Sequence, residues 1–401
     1  MNFVYISPQF PKTNCEFCDR LKQNGVNVLG IADMEYDQLD QKLKDSLTEY
    51  YKVSNLENYD EVLKAVAFFT HKYGKIDWLE SNNEHWLVQD AKLRSDFNIT
   101  TGIKADKIAN IKEKSKMKKA YKKAEIPFAD FSLVTTLAKA KKFIDKVGYP
   151  VVAKPDNGVG ASDTHKIKNE KELKNFFETC NQNVKYIMEE YVDGDLVSYD
   201  AIIDSNGNPV FETGIVEPAV MDIVNKGLDV FYYVEKEMPK QLLEAGRRAV
   251  KGFGIKSRFI HLEFFRLNKN KKGLGKKGDY VGLESNMRPA GGYTPDMYNY
   301  ANNTDVYQIW ADMIAFDKIE KAELNEDMEK NYCVYASRRD NKNYVHSHDE
   351  IKQKYGNAIV MDERMPDIFA GAMGNYMYTA KFATKEEMDE FINFVHQKVE
   401  E

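Results

Sequence analysis

Residues 279–292 read DYVGLESNMRPAGG, and this pattern predicts a β-strand that runs into a turn. Alternate residues of a strand point to the same face, so we expect Glu284, Asn286 and Arg288 to lie in a row. A carboxylate and an amide oxygen are hard ligands that suit Mg²⁺, and an arginine beside them suits a phosphate. A solvated edge strand is the alternative interpretation of this stretch taken alone.

The composition is that of a soluble globular protein with more than one domain. At 401 residues the chain is too long for one simple core, so we expect two or three domains. Hydrophobic residues make up 43% and charged residues 30%, which is ordinary. The net charge of −6 argues against a nucleic-acid partner. With no signal peptide and no apolar segment long enough to span a bilayer, we expect a cytoplasmic protein without a membrane partner.

The cysteines predict no disulfide framework or zinc site. The chain has four of them, and only Cys15 and Cys18 form a CxxC pair. A redox pair is conceivable at the start of a helix, but no second ligand pair supports zinc. We therefore expect ordinary packing residues in a reducing compartment.

The first 110 residues alternate between strand and helix patterns. The predicted strands are Phe3–Ile6, Val26–Ile31, Tyr50–Val53 and Ile76–Glu80, and the predicted helices are Cys15–Asn24, 58–74 and 84–97. This rhythm indicates a parallel sheet covered by helices. Asp33 follows the second strand, where a ribose-binding carboxylate would stand in a dinucleotide fold. No glycine fingerprint follows the first strand, so we reject that interpretation.

A glycine-rich loop follows a short strand in the middle of the chain. After a lysine-rich helical stretch, Lys104–Lys123, and a strand at Phe131–Val134, the apolar strand Val151–Lys154 leads into residues 157–162, NGVGAS. Small residues let backbone N–H groups approach a polyphosphate, and the lysine supplies charge. A plain hairpin is the alternative. A P-loop is excluded because the chain has no GxxxxGK[ST] motif.

The second half of the chain predicts further strands. They are Tyr186–Tyr191, Val197–Asp204, Val210–Glu217, Arg258–Leu267, 331–336 and 373–382, with helices near 240–251, 306–316 and Lys385–Lys398. Asn206-Gly207 is a strong hairpin signal. His261 and Glu263 share one strand face. Residues 273–278 match GxGxxG but link two strands, so they are not a dinucleotide motif.

Together these motifs resemble the ATP-grasp superfamily. The features that carry the resemblance are a lysine before an Ile-Pro turn, a strand lysine with a glycine-rich loop, a Met-Glu-Glu-Tyr-Val hinge, a strand glutamate and Glu-x-Asn-x-Arg, spread over about 111–292. The chain is most similar to carboxylate–amine ligases, with biotin carboxylase, carbamoyl-phosphate synthase and purine-pathway ligases more distant. The implied fold is α/β (α+β): a Rossmann-like pre-ATP-grasp domain at 1–111, a lid subdomain at 112–190, and the ATP-grasp core with a C-terminal subdomain at 191–401.

The resemblance also implies a role for each matching residue. The expected ATP-binding residues are Lys114, Lys154, Gly158, Val159, Gly160, Ala161, Ser162, Met188, Glu189, Val192 and Asp195. Lys112 and Lys116 are alternatives to Lys114 as the first phosphate lysine. Glu189 and Val192 would meet the adenine edge, with Ile187 and Met188 in the apolar wall. Glu263, Glu284 and Asn286 would hold Mg²⁺, or Mn²⁺ as an alternative, and Arg288 would be catalytic, holding the transferred phosphate.

The chain departs from the family pattern at the position that would bind the ribose of ATP. The family usually has a glutamate seven residues after the hinge glutamate, and this chain has Leu196 there. Asp195 and Asp200 are the expected substitutes. His261 could touch substrate or could be a packed strand histidine. Asp296, in YTPDMYN, is expected in an exposed turn, either recognising an amine or capping a helix.

The implied reaction joins a small carboxylate to an amine with ATP and Mg²⁺, through an acyl-phosphate, releasing ADP and phosphate. Two alternatives stay open: a bicarbonate-activating enzyme, and a catalytically silent ATP-binding regulatory protein. A homodimer is also left open. Residues 112–190 are expected to form a lid, and without nucleotide the 156–163 segment is expected to be poorly ordered or displaced from Glu284.

Overall fold

The computed structural model describes residues 1–158, 163–217, 228–325 and 328–399. Within these ranges the chain forms three β-sheets flanked by helices. The mixed α/β class expected from the sequence is confirmed. No helix in the described part of the chain is long and apolar enough to cross a membrane.

The N-terminal sheet is parallel, with the strand order β3-β2-β1-β4. Its strands are β1 (Asn2–Ile6), β2 (Asn27–Ala32), β3 (Glu49–Lys52) and β4 (Trp78–Glu80). The helices around it are Asn14–Gln23, Gln41–Ser46, Tyr59–Tyr73, Leu87–Asp96 and Ala105–Lys112, with a 3₁₀ turn at Tyr36–Gln38. The predicted βαβ rhythm is therefore confirmed. Cys18 is fully buried inside the first helix, as expected of a packing residue.

The predicted helix Lys104–Lys123 is in fact two helices. Ala105–Lys112 and Lys114–Lys123 are separated at Glu113, whose backbone is extended (φ −87°, ψ 116°). The break is made by tertiary hydrogen bonds. The buried Asp156 carboxylate accepts from the Ser115 N–H (2.7 Å) and from the Ser115 hydroxyl (2.8 Å), while the Lys114 N–H donates to the Asp156 carbonyl (2.8 Å).

The second sheet is antiparallel and small, with the order β5-β8-β6-β7. Its strands are β5 (Phe131–Val134), β6 (Val151–Pro155), β7 (His165–Ile167) and β8 (Tyr186–Glu190). Helices Leu137–Val147 and Glu170–Thr179 cover one face and form a separate hydrophobic core with it. The other face is left open towards the rest of the molecule.

The third sheet is the largest, with the order β14-β13-β9-β11-β12-β15-β17-β16 and with β10 paired to β9. Its strands are β9 (Gly194–Ile203), β10 (Pro209–Thr213), β11 (Ile215–Glu217), β12 (Phe231–Val234), β13 (Arg258–Leu267), β14 (Tyr280–Asn286), β15 (Tyr332–Arg338), β16 (Ile359–Arg364) and β17 (Tyr376–Phe382). The helices of this part are Lys240–Phe253, Thr294–Asn302, Val306–Phe316, His348–Tyr355, Asp367–Met373 and Lys385–His396.

The predicted strand Val210–Glu217 is divided at Gly214. A Cβ at this position would lie 2.2 Å from the Ser198 carbonyl oxygen, so the backbones of the two strands approach more closely than a side chain allows. β10 completes the predicted Asn206-Gly207 hairpin with β9, whereas β11 pairs with both β9 and β12. The division places Glu217 beside Leu196 of β9.

The N-terminal sheet packs tightly on the third sheet's helices. Phe3 of β1 contacts Trp310 of helix Val306–Phe316 with ring centroids 5.7 Å apart, inside one continuous buried cluster. A second cluster on the opposite face of the large sheet includes Tyr121 and helix Lys240–Phe253. Each of the three expected domains contains one sheet, and the boundaries at 111/112 and 190/191 remain a proposal.

Candidate functional site

Three neighbouring strands bring the predicted polar residues together. β13 pairs with β14 so that Glu263 lies opposite Glu284 and His261 lies opposite Asn286. β9 lies on the other side of β13, with Ser198 opposite Glu263. The predicted alternation of side chains between the two faces thus holds for Glu284 and Asn286. The residues opposite them on β13 and β9 lie on the same face of the sheet.

A cavity of about 770 Å³ lies between this sheet face and the open face of the small antiparallel sheet. Of the residues expected to bind ATP or metal, those that line it are Lys114, Lys154, Glu189, Val192, Asp195, Glu263, Glu284, Asn286 and Arg288. Its polar end carries the charged groups. Its apolar end is formed by Ala129, Val152, Val192, Leu196, Phe265, Val281 and Leu283.

The two carboxylates at the polar end are held in different electrostatic states. Burial raises the pKa of both, but His261 and Arg288 outweigh it at Glu263, whose pKa is lowered. At Glu284 burial prevails over the Lys114 ammonium, and the charge of Glu263 raises the pKa further. The Asn286 amide donates to Glu263 Oε1 (3.2 Å), which leaves the amide oxygen of Asn286 free to bind a cation.

This donor set fits Mg²⁺ that is shared with a phosphate. No cluster of three or more His, Cys, Asp or Glu side chains forms a closed metal site among the described residues. Mg²⁺ is usually held by one or two carboxylates together with substrate phosphates and water, rather than by a complete protein cage. Glu263, Glu284 and the Asn286 oxygen supply that partial set.

The geometry distinguishes among the candidate phosphate lysines. Lys114 reaches the cavity, where its ammonium lies 3.0 Å from Glu284 Oε1 and 3.2 Å from the Gly158 carbonyl. Lys112 instead forms a buried ion pair with Glu84, and Lys116 pairs with Glu113 at the surface (2.8 Å). Lys114 is therefore the one of the three that can meet a ligand in the cavity.

A second buried lysine, Lys118, was not identified from the sequence. Glu189 holds Lys118 at 2.6 Å through one carboxylate oxygen and Lys154 at 2.7 Å through the other. Lys118 lies one helical turn after Lys114, so the i,i+4 spacing was the available signal. Burial raises the pKa of Glu189, but the two ammonium groups outweigh it and lower that pKa to about 2.

The two lysines on Glu189 respond differently to burial. Burial lowers the pKa of both. At Lys154 the charges of Glu189, Glu284 and Glu263 overcome this effect, and the pKa is raised. At Lys118 burial and the repulsion of Lys154 prevail, and the pKa is lowered. The site thus concentrates positive charge against a few buried carboxylates, an arrangement suited to a polyanionic ligand.

Arg288 lies just beyond β14 and contacts the N-terminal part of the chain. Its Nε is 3.4 Å from Glu84 Oε2, and its Nη1 donates to the Pro289 carbonyl (2.8 Å). Glu84 was not identified from the sequence because the pairing joins residues about two hundred positions apart. The contact places a carboxylate from the first 111 residues at the rim of the cavity.

The interpretation of Met188 as part of the cavity wall is wrong. Met188 is fully buried on the opposite face of β8, in the core formed with helices Leu137–Val147 and Glu170–Thr179. Strand alternation explains the difference, because Glu189 faces the cavity and its neighbour must face away. Ile187, also expected in the wall, is fully buried and does not line the cavity.

His261 is a packed strand histidine that supports Glu263. Its Nδ1 contacts the fully buried carboxylate of Asp200, and its Nε2 lies 3.3 Å from Glu263 Oε1. Burial lowers the pKa of His261, but the two carboxylates outweigh it and raise that pKa to about 10. Asp200 is committed to this contact and does not line the cavity, so its expected role at the ribose is not supported.

Asp195 lines the cavity but is already paired with an arginine, and Asp296 differs from expectation. The Asp195 carboxylate is 3.1 Å from Arg266, in a strand position that alternates away from Leu196. Asp296 lies in helix Thr294–Asn302 rather than in an exposed turn, and it neither caps the helix nor faces the cavity. It accepts a hydrogen bond from the Tyr307 hydroxyl (3.0 Å), and burial raises its pKa to about 6.

The glycine-rich loop is described only at its start. Gly158 accepts the hydrogen bond from Lys114 noted above. Val159, Gly160, Ala161 and Ser162, expected to cover the phosphates, lie outside the described residues.

Comparison with known proteins finds one domain family and several enzymes to which parts of this chain are similar. Residues 147–274 match the ATP-grasp domain family. The chain is 22% identical over 297 residues to alanine–anticapsin ligase of Bacillus subtilis (strain 168), covering 65% of this chain and 58% of that protein. It is 24% identical over 176 residues to the carbamoyl phosphate synthase large chain of Agathobacter rectalis, covering 42% of this chain and 16% of that protein. The matches thus span less than two thirds of either relative.

Among solved structures, the fold is similar to that of L-amino acid ligase from Bacillus licheniformis. The TM-score is 0.70 at 14% sequence identity, and the alignment covers 98% of this chain and 96% of that one. At this identity the similarity concerns the fold.

Proposed function

We propose that this chain, whose residues 147–274 match the ATP-grasp domain family, is an ATP- and Mg²⁺-dependent ligase that joins a carboxylate to an amine. One observation carries the proposal. A single cavity combines an apolar end with a polar end at which Lys114, Lys154, Glu263, Glu284 and Arg288 converge. The apolar end suits a purine base, and the polar end suits a metal-bound triphosphate.

The positive side chains would position and neutralise the phosphates. Lys114 and Lys154 act as point charges, and their present partners, Glu284 and Glu189, keep them in place without a ligand. Glu263, Glu284 and Asn286 would hold Mg²⁺, which would offset the negative charge of the phosphates. Phosphoryl transfer requires mainly such positioning and charge neutralisation from a protein.

Arg288 is placed to hold the group that moves. Its guanidinium can bind the transferred phosphoryl with two parallel hydrogen bonds. The carboxylate substrate attacks the γ-phosphate, and an acyl-phosphate forms as ADP leaves. The amine then attacks the acyl carbon, and phosphate leaves with the former carboxylate oxygen. The protein need not supply a covalent nucleophile for either step.

A bicarbonate-activating enzyme and a silent nucleotide-binding protein are less well supported. The bicarbonate enzyme that the family includes carries a catalytic glutamate two or three residues beyond the arginine, whereas this chain has Ala290 and Gly291. The silent protein is suggested only by Leu196. The convergence of Glu284, Asn286 and Arg288 on the cavity favours turnover.

Release of ADP in the presence of acid and amine tests the proposal. The panel should begin with amino acids as both acid and amine, because the names of alanine–anticapsin ligase and L-amino acid ligase point to such substrates. We expect ADP release that requires both partners and Mg²⁺, and that Glu284→Gln abolishes. ADP release stimulated by bicarbonate alone would support the alternative enzyme. Nucleotide binding without any release would support the silent protein.

A further inference from the structure

One row of side chains crosses four adjacent strands at the apolar end of the cavity. Val281 of β14 lies opposite Phe265 of β13, Phe265 lies opposite Leu196 of β9, and Leu196 lies opposite Glu217 of β11. All four side chains line the cavity. From β14 to β11 the row therefore consists of three apolar side chains and then one carboxylate.

The next row across the sheet carries the metal-site candidates. Glu284, Glu263 and Ser198 occupy successive strands one step further along the same face. A nucleotide whose base covers Phe265 and whose phosphates reach Glu263 must place its ribose over the junction between the rows. Leu196 and Glu217 belong to the first row, on the two strands that follow Phe265, and they border that junction.

Among the described residues, no counter-charge is in direct contact with the Glu217 carboxylate. In the described part of the chain no hydrogen bond or ion pair to its side chain is found. Burial, together with the negative charge of Glu263, raises the pKa of Glu217 to about 7. Glu217 is half-buried, and a partly desolvated acceptor gains most from a ligand that supplies donors.

The other carboxylates near this end of the cavity already have partners. Asp195 is bound to Arg266 (3.1 Å), Asp193 to Lys269 (2.8 Å) and Glu190 to Lys271 (2.7 Å). Leu196 itself offers no acceptor. Directly opposite residues of an antiparallel pair have Cβ atoms about 5 Å apart, so the Glu217 side chain can reach the space in front of Leu196.

We propose that Glu217 accepts the hydrogen bonds of the nucleotide ribose hydroxyls, from the neighbouring strand, in place of a carboxylate at position 196. This inference rests on the proposed function, because it requires that the cavity bind ATP. The proposed ribose contact lies on β11, whereas the sequence pattern predicts a ribose-binding residue on β9.

The test compares ADP with 2′-deoxy-ADP and 3′-deoxy-ADP, each with Mg²⁺, by calorimetric titration of the full chain. A hydrogen bond to a charged acceptor corresponds to a factor of roughly ten or more in affinity, so the natural protein should prefer ADP by about that factor over at least one deoxy analogue. Glu217→Gln, which keeps the shape of the side chain, and Glu217→Ala should reduce the preference to about two-fold or less. Adding Leu196→Glu to Glu217→Ala should restore it.

Asp195→Asn tests the rival carboxylate, which lines the cavity but is paired with Arg266. It should leave the preference for ADP unchanged. The inference is overturned if the Glu217 variants keep the natural preference, or if Asp195→Asn removes it. If the natural protein binds none of the three nucleotides, the proposed function fails as well, whereas unchanged ADP binding with an unaltered preference rejects the ribose contact alone.

Discussion

Glu189 holds two buried ammonium groups, those of Lys118 and Lys154, and its loss should destabilise the unliganded fold. Replacing it by glutamine leaves both positive charges buried without the carboxylate that contacts them. Breaking a buried ion pair in this way typically costs about 3–5 kcal/mol. We therefore expect Glu189→Gln to lower the free energy of unfolding by that amount at pH 7, measured by urea denaturation.

The pH dependence provides the control for this prediction. The pKa of Glu189 in the folded protein, about 2, lies below its ordinary value of 4.5. Its stabilising contribution is therefore fully present above pH 4.5 and is lost as the pH falls towards 2. The difference in unfolding free energy between the natural protein and Glu189→Gln should shrink over that range. A difference independent of pH would show that the ion pairs are not its cause.

Arg288→Lys should abolish turnover although it preserves the charge. A planar fork with two parallel donors is replaced by a point charge that cannot bind the phosphoryl group in the same way. Loss of a donor that stabilises developing charge typically costs on the order of a hundred-fold or more in rate. ADP affinity should stay within about three-fold, since other residues hold the base and the inner phosphates. Loss of ADP binding together with turnover would mean that Arg288 has a different role.

Strand β14 is positioned by a contact on the face opposite the cavity. A Cβ at Gly282 would lie 2.6 Å from the ring of Tyr121, which is fully buried, and the Gly282 N–H donates to the Pro127 carbonyl (2.8 Å). This close approach fixes the strand two residues before Glu284. The glycine is required by the absence of space rather than by backbone conformation.

Gly282→Ala should therefore both destabilise the protein and weaken the site. Overpacking a buried contact typically costs about 1–3 kcal/mol. The displaced strand should also raise the Mg²⁺ concentration needed for half-maximal ADP release. Gly291→Ala is the matched control, because a Cβ there meets nothing within 4 Å. Equal behaviour of the two variants in thermal unfolding and Mg²⁺ titration would contradict this account of β14.

The sequence predicts elements well where local pattern decides them. The bounds of β13 and of helix Val306–Phe316 are those expected, since hydrophobic periodicity alone defines them. The prediction from sequence fails at Glu113, where a helix is interrupted, and at Gly214, where a strand is divided. At Glu113 the interruption is made by Asp156, and at Gly214 by the Ser198 carbonyl. Neither partner is visible in the local pattern.

At the scale of the whole molecule, the cavity is closed by two bodies that meet along one edge. The small antiparallel sheet is joined to the large one near residues 190–194, where Lys271 donates to the Tyr191 carbonyl and pairs with Glu190 (2.7 Å). Phe128 forms a β-bridge with Gly282 of the large sheet. A lid attached at one edge is the arrangement we propose within residues 112–190, formed by the small sheet and its two helices, because helix Lys114–Lys123 packs against the large sheet.

Hydrogen exchange tests this lid. Phosphates that bind between the two sheets add partners to Lys154 and to the backbone after it, so exchange over 151–158 should slow when ADP and Mg²⁺ are added. Residues 280–286 should be protected in both states, because β14 is paired and buried without a ligand. Equal, strong protection of 151–158 with and without nucleotide would contradict lid closure.

Long-range pairing limits what the sequence could reveal about the site. The faces of Glu263, Glu284 and Asn286 follow from strand alternation. Glu84 and Glu217 do not, because only the assembled fold brings the first domain to Arg288 and sets the register of β11 against β9. Choosing Lys114 over Lys112 likewise required the position of the helix break.

Transfer of a carboxylate oxygen to phosphate is the most direct test of the proposed reaction. The acid that supports ADP release is labelled with ¹⁸O in its carboxylate and turned over with the amine. Because the acid oxygen attacks the γ-phosphate and leaves with it, the inorganic phosphate should carry one ¹⁸O atom, and the amide product should keep the other. Unlabelled phosphate released alongside ADP would contradict an acyl-phosphate, and with it the assignment of the cavity to carboxylate activation.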